Sequence, residues 1–187
     1  NEFLKLNNLD INKKYYTLLI GGNGAGYKYD NKFYDDLLSF VKKIYEEKDI
    51  KWYITTSRRT PIEIENKLEE MLREYYSYFV AYKKKEEKVL LPFFGLSEAI
   101  FVTEESSSMI SEAISSSKKV FTIGNEYSDA DENYKSILKK FELNNQIIRI
   151  KNFSLHDNRH EFNNKNINCE FRNFIKKEFR WINNQFL

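Results

Sequence analysis

Ala99-Ile100-Phe101-Val102-Thr103 runs through Glu104-Glu105 into Ser106-Ser107-Ser108-Met109-Ile110-Ser111-Glu112-Ala113. A short apolar run reads as a buried strand, and the serine cluster after it reads as a helix start. The first amides of a helix have no partner within the helix and lie at the positive end of its dipole, so an anion fits there. Ser106, Ser107 and Ser108 add hydroxyl donors, and Glu112 falls on the same helical face as Ser108. A carboxylate so placed reaches a ribose diol while the serines hold a diphosphate. A serine cap on an ordinary crossover helix produces the same pattern.

Outward from this stretch the chain alternates strand and helix. Strands are expected at 15–20, 52–55, 78–82, 100–103, 120–123 and 147–150. Helices are expected at 33–47, from Thr60 to about residue 76, at 109–116, 133–141 and 170–184. Phe33, Leu37, Phe40, Val41 and Ile44 carry the helical spacing of the first helix. Thr60-Pro61-Ile62-Glu63 has a capping hydroxyl, a first-turn proline and an acidic capping-box partner. Strands alternating with helices of this length imply parallel pairing through right-handed crossovers. The expected fold is α/β, a Rossmann-like three-layer sandwich with a mostly parallel sheet. Ligands of such sheets bind beyond the carboxyl ends of the strands. Three polar segments fall on that rim: 21–26, 57–60 and 103–108.

Composition bounds the function. The 187 residues are 31% charged, yet the net charge is only +2. No concentrated basic face is evident, so nucleic acid is not an expected partner. Lys83-Lys84-Lys85 is followed by Glu86-Glu87 and reads as a solvated loop. One cysteine, Cys169, excludes an internal disulfide and fits a reducing compartment. No run of about 18 apolar residues is present to span a membrane. A cytoplasmic location is expected, with possible contact at the inner membrane face. His156 and His160 stand four apart without a third ligand at recognisable spacing, so no metal site is assigned. No cofactor is assigned either. Gly21-Gly22-Asn23-Gly24-Ala25-Gly26 is neither a dinucleotide fingerprint nor a P-loop. It reads as a flexible loop lining a cleft, or as a plain turn. Of the adjacent Arg58 and Arg59, only one is expected to meet ligand. The stripe Phe171, Phe174, Ile175, Phe179, Ile182 and Phe186, flanked by Arg172, Lys176, Lys177 and Arg180, reads as a helix covering the core or docking on a neighbouring lobe. A basic amphipathic helix on a membrane is the other reading.

Thr55-Thr56-Ser57-Arg58-Arg59-Thr60-Pro61 resembles the Thr-x-Ser-Arg-Arg-Thr-Pro signature of the mitochondrial-fission ELM-type family. Residues 102–113 resemble its second signature, Val-Thr-x-Asp-Ser-Val-Ser-Met-x-x-Glu-Ala, with Glu105 where the family has aspartate. Leu18-Leu19-Ile20-Gly21-Gly22 and Pro92-Phe93 fall where it has Leu-Ile-Gly-Gly and Asn-Pro-Tyr. A further departure is Ser115-Ser116-Ser117-Lys118, where the family has a glycine. The resemblance covers about 15–153. It implies the carboxy-terminal, nucleotide-sugar-binding lobe of a two-lobed GT-B glycosyltransferase-like protein, with metal-independent catalysis. By that resemblance Ser106 and Ser108 meet phosphate, Glu112 the ribose, Gly22 to Gly24 the cleft, and Arg58 the phosphates or sugar. The full expected nucleotide-sugar site is Gly21, Gly22, Asn23, Gly24, Ser57, Arg58, Arg59, Thr60, Thr103, Glu105, Ser106, Ser107, Ser108, Met109 and Glu112. No catalytic base is assigned, because in such enzymes the acceptor and base come from an amino-terminal lobe. Residues 1–14 read as a linker or the remnant of such a lobe, 15–153 as the nucleotide-binding domain, and 154–187 as a loop and terminal helix. The competing expectation is a catalytically inactive adaptor of the same fold acting at a membrane surface. A sugar-nucleotide epimerase is disfavoured by the missing dinucleotide fingerprint and Tyr-x-x-x-Lys pair.

Overall fold

The computed structural model describes residues 2–153 apart from 8, 11, 126–128 and 152. The chain runs α1 (Glu2–Leu6), β1 (Lys14–Ile20), α2 (Asn31–Lys48), β2 (Ile50–Thr56), α3 (Ile62–Met71), β3 (Tyr76–Val80), α4 (Leu90–Leu96), β4 (Ala99–Thr103), α5 (Ser107–Ser115), β5 (Lys119–Ile123), α6 (Glu132–Leu143) and β6 (Ile148–Ile150). The strands form one sheet in the order β3-β2-β1-β4-β5-β6, and every pairing is parallel. This is the expected Rossmann-like α/β fold. The order reverses between β1 and β4. Right-handed crossovers therefore send α2 and α3 to one face of the sheet and α5 and α6 to the other. The reversal opens a crevice at the carboxyl ends of β1 and β4.

Local chemistry starts each element. Asp30 caps α2, its side chain accepting from the Phe33 amide at 2.8 Å, and Asp131 caps α6 by accepting from Tyr134. The predicted stripe of α2 is buried from Phe33 to Ile44. Trp52 of β2 is fully enclosed and donates its indole N–H to the Val41 carbonyl. Phe101 of β4 stacks on Phe121 of β5 at 4.7 Å. On the opposite face Tyr53 lies stacked between Tyr15 and Phe93, and Phe3 of α1 packs on Tyr53, Tyr78 and Phe93.

Three expectations are corrected. Helix α4 is not among the expected helices; Pro92 is its third residue, where a helix amide has no intrahelical partner to lose. Helix α3 ends at Met71 rather than near residue 76. The apolar spacing continues past its end because Leu72 is buried and Tyr75 packs edge-on to Tyr45, so β3 begins at Tyr76. The capping box at Thr60 does not form: Pro61 is the cap and makes no side-chain bond. The Thr60 hydroxyl instead donates to the Ile20 carbonyl at 3.0 Å and accepts from the Ser57 amide, tying the β2–α3 turn to the end of β1. Cys169, His156, His160 and the terminal stripe at 170–184 lie outside the described residues.

Candidate functional site

A groove of about 460 Å³ opens at the crevice between β1 and β4. The end of β2 supplies Thr55 and Thr56, the β2–α3 turn Ser57, Arg58 and Arg59, and the first turns of α5 with its cap Ser106, Ser108, Met109 and Glu112. The third wall is the segment from Tyr82 to Leu91, between β3 and α4. Tertiary structure thus brings together two of the three rim segments picked out by sequence. A second groove of about 520 Å³, lined by Phe94, Gly95 and Ser115 among others, adjoins it and shares Leu90, Leu91 and Glu112.

The head of α5 has no side-chain cap. Ser106 occupies the cap position with extended backbone, but its hydroxyl makes no capping bond to the helix. It lies 3.2 Å from the Ser108 hydroxyl. The first intrahelical bond runs from the Ile110 amide to the Ser106 carbonyl, which leaves the amides of 107 to 109 without intrahelical acceptors. Ser107 and Ser108 are exposed, and Ser107 does not line the groove. Arg58 is exposed and makes no ion pair among the described residues. Glu112, one turn along α5 from Ser108, stands where the two grooves join; partial burial there pushes its carboxyl above the usual range.

Behind the groove the glycine loop takes a different place from the one expected. It does not border the cavity but lies over Arg59 and Glu105. A Cβ at Gly21 would fall 1.4 Å from Glu105 Oε1, one at Gly22 2.0 Å from the Arg59 carbonyl oxygen, and one at Gly24 3.0 Å from Arg59 Nε. These glycines serve close packing of the rim on itself. Asn23 accepts from the Tyr29 amide at 2.8 Å, shaping the loop from within. Thr103 is fully buried and accepts from the Gly21 amide at 2.8 Å, locking β4 to β1. Thr60 is likewise enclosed with its hydroxyl spent. Gly21, Gly22, Asn23, Gly24, Thr60, Thr103 and Glu105 therefore form the groove's support rather than its surface. The Glu105 side chain is wholly enclosed, and Arg59 NH2 reaches its Oε1 at 3.4 Å. Burial pushes this carboxyl up to about 7, against the pull of Thr103 and Arg59.

Two further carboxylates hold the site, and sequence reasoning passed over both. Glu65 of α3 is fully buried, accepts from the Thr56 hydroxyl at 2.5 Å and accepts from the Lys83 amide. Thr56 in turn accepts from the Tyr82 amide at 2.8 Å. The start of this wall at Tyr82 and Lys83 is thereby pinned to β2 and α3, while Lys83 to Glu86 lie exposed in a loop, as expected. The available signal was an acidic residue three positions before Leu68 and seven before Leu72, on the buried stripe. Glu104 lies under the β4–α5 turn, 2% exposed. Its two oxygens accept from Arg149 Nε and NH2 at 2.7 and 2.8 Å, from Thr122 and from Tyr27. Arg149 sits in a strand that looked wholly structural, so only spatial adjacency reveals the pair.

The chain belongs to the mitochondrial fission ELM1 family, whose model matches residues 5–165. Among solved structures, E. coli ADP-heptose LPS heptosyltransferase II is similar, at 11% identity and a TM-score of 0.52, over 95% of this chain and 51% of that one. The chain thus spans about half the length of that enzyme. The likeness is one of fold: a Rossmann-like lobe of the GT-B type. No curated protein matches the chain.

Proposed function

We propose that this domain binds a nucleotide diphosphate-sugar in the groove at the head of α5 and, joined to an amino-terminal acceptor lobe, takes part in sugar transfer. The observation that carries the reading is the convergence of the uncapped head of α5 with Ser106, Ser108 and Arg58, which has no ion pair among the described residues, in one groove. Helix amides and a guanidinium fork are complementary to a diphosphate, and Glu112, one turn further along, is placed for the ribose diol. ADP-heptose, named for the structurally similar heptosyltransferase, is a ligand of this chemical class.

The chemistry this lobe supplies is electrostatic. When a glycosyl bond breaks, negative charge builds on the departing diphosphate. Preorganised amides and Arg58 stabilise that charge without reorganising. A base to activate the acceptor is assigned to the other lobe. No described helix is long and apolar enough to cross a membrane.

Calorimetric titration with UDP, GDP, ADP and CMP and their sugars, ADP-heptose included, tests the reading. Micromolar binding of one diphosphate that is lost in Ser108→Ala and Glu112→Ala is the expected result. Silence from this chain, and again after an amino-terminal lobe is joined to it, overturns the reading. It leaves an adaptor of the same fold, to be tested by co-sedimentation with liposomes with and without residues 170–187.

A further inference from the structure

We propose that Glu105 is the positioning residue of the groove's anion site: its enclosed carboxylate holds Arg59 while the groove is empty and takes up a proton when a diphosphate claims that guanidinium. The proposal rests on the diphosphate reading above, brings Arg59 to the ligand beside Arg58 because both line the groove, where only one was expected to, and adds a residue that never touches the ligand.

The geometry is that of a pair made to be broken. Glu105 lies sealed beneath Gly21 and Gly24 with no solvent exposure of its side chain. Its one ion-pair partner among the described residues is Arg59, whose own side chain is 35% exposed and lines the groove. The pair is incomplete on both sides. Glu105 Oε2 and Arg59 Nε are buried, and neither has a hydrogen-bond partner. A buried ion pair offsets its desolvation only when the remaining donors and acceptors are satisfied. Here they are not, and burial accordingly holds the carboxyl near neutrality in pH, at about 7.

The neighbours leave Glu105 as the group that changes charge. Tyr29 before α2, Tyr34 of α2 and Tyr134 of α6 feel its charge, and each phenol is pushed upward, chiefly by burial. They stay neutral across the physiological range. Glu104, next in the chain, is engaged by Arg149. Arg59 comes from the β2–α3 turn and lines the groove.

An anion beside Arg59 acts on Glu105 twice: it draws the guanidinium away and adds a like charge nearby. Both favour the protonated carboxyl. By reciprocity, protonating Glu105 strengthens anion binding by the same factor as the anion strengthens proton binding. Affinity therefore rises as pH falls through neutrality.

The test is calorimetric titration of the whole chain with UDP-glucose and ADP-glucose. Their phosphodiesters do not titrate across neutrality, unlike a terminal phosphate with a second ionisation near about pH 6. Run at about pH 7 in two buffers of unlike ionisation enthalpy, binding is expected to take up a fraction of a proton. The affinity is expected to be about tenfold greater at pH 6 than at pH 8, within the ordinary range of coupling between sites. Glu105→Gln removes both the uptake and the pH slope. Arg59→Met also removes the uptake, because an unpaired Glu105 is already protonated, and it serves as well if the glutamine variant fails to fold. Sugar-nucleotide binding without proton uptake, or with the same slope in Glu105→Gln, overturns the proposal and leaves the binding reading standing. Absence of binding to every form at every pH, extended to the GDP and CMP sugars and ADP-heptose and repeated with an amino-terminal lobe joined, takes down both.

Discussion

A methyl group on Gly21 would sit 1.4 Å from Glu105 Oε1. The glycine at the end of β1 and the acidic residue after β4 are therefore one packing unit, although 84 positions separate them in the sequence. Gly21→Ala must push a buried carboxyl out of its enclosure, and overpacking of this kind costs about 1–3 kcal/mol. Gly95 of α4 is the control, since a Cβ there meets nothing within 4 Å. Gly95→Ala is expected to be neutral or to stabilise by up to about 1 kcal/mol. Urea denaturation of both variants checks the contrast.

Glu104 and Arg149 make a two-pronged pair with the carboxylate 2% exposed. Removing one partner strands the other, at a cost of about 3–5 kcal/mol. Arg149→Met is expected to lose stability on that scale. The Glu104→Gln, Arg149→Met double variant is expected to lose less than the sum of the singles. A double-mutant cycle by chemical denaturation measures the coupling.

Arg58 is exposed and makes no ion pair among the described residues. Arg58→Ala is expected to change stability by less than about 0.5 kcal/mol while weakening diphosphate binding by about tenfold or more. Titration at two salt concentrations checks that the lost component is the salt-sensitive one.

Stability should depend on pH through Glu105, with a definite sign. The carboxyl is raised from 4.5 to about 7 in the folded chain, so between these values the folded state binds more protons than the unfolded one. Stability then falls as pH rises across that window and levels off above it. Full expression of the shift is worth on the order of 3 kcal/mol. The carboxyls of exposed Asp49 and part-buried Glu87 are lowered, chiefly by their lysine partners, and act in the opposite sense. The comparison is therefore with Glu105→Gln, whose pH profile is expected to lack this fall. Thermal unfolding from pH 4.5 to 8, wild type beside variant, tests it; parallel profiles would contradict it.

Glu65 pins the Tyr82–Lys83 backbone to Thr56. Glu65→Ala is expected to cost about 1–3 kcal/mol, the penalty for unpaired buried polar groups. Amide exchange within 82–91 is expected to rise more than exchange in β1. Hydrogen-exchange mass spectrometry resolves the two regions.

Much of the site's surface was legible in the sequence. Ser57, Arg58, Ser106, Ser108 and Glu112 were marked by strand ends and helix starts, which are local signals, and they converge on one groove. The support behind them was not legible. Gly21 and Gly24 read as a cleft-lining loop because a glycine cluster looks the same whether it approaches a ligand or another part of its own chain. Helix α4 went unassigned: its seven residues include Pro92 and Gly95, so its local helix signal is weak. The charge run at 83–87 read as a solvated loop and is largely exposed; what stayed hidden was the anchor of its backbone, Glu65, which lies on a different element.

The sequence alone determined the alternation of strand and helix, the parallel α/β class and the rim on which a ligand would lie. Each follows from periodicity and capping within about fifteen residues. Tertiary structure alone decided which rim residues face the groove and which are sealed behind it. Burial and charge pairing depend on neighbours from distant elements: Glu105 became an enclosed partner of Arg59, and Glu104 the partner of Arg149, only when β2, β4 and β6 met in one sheet.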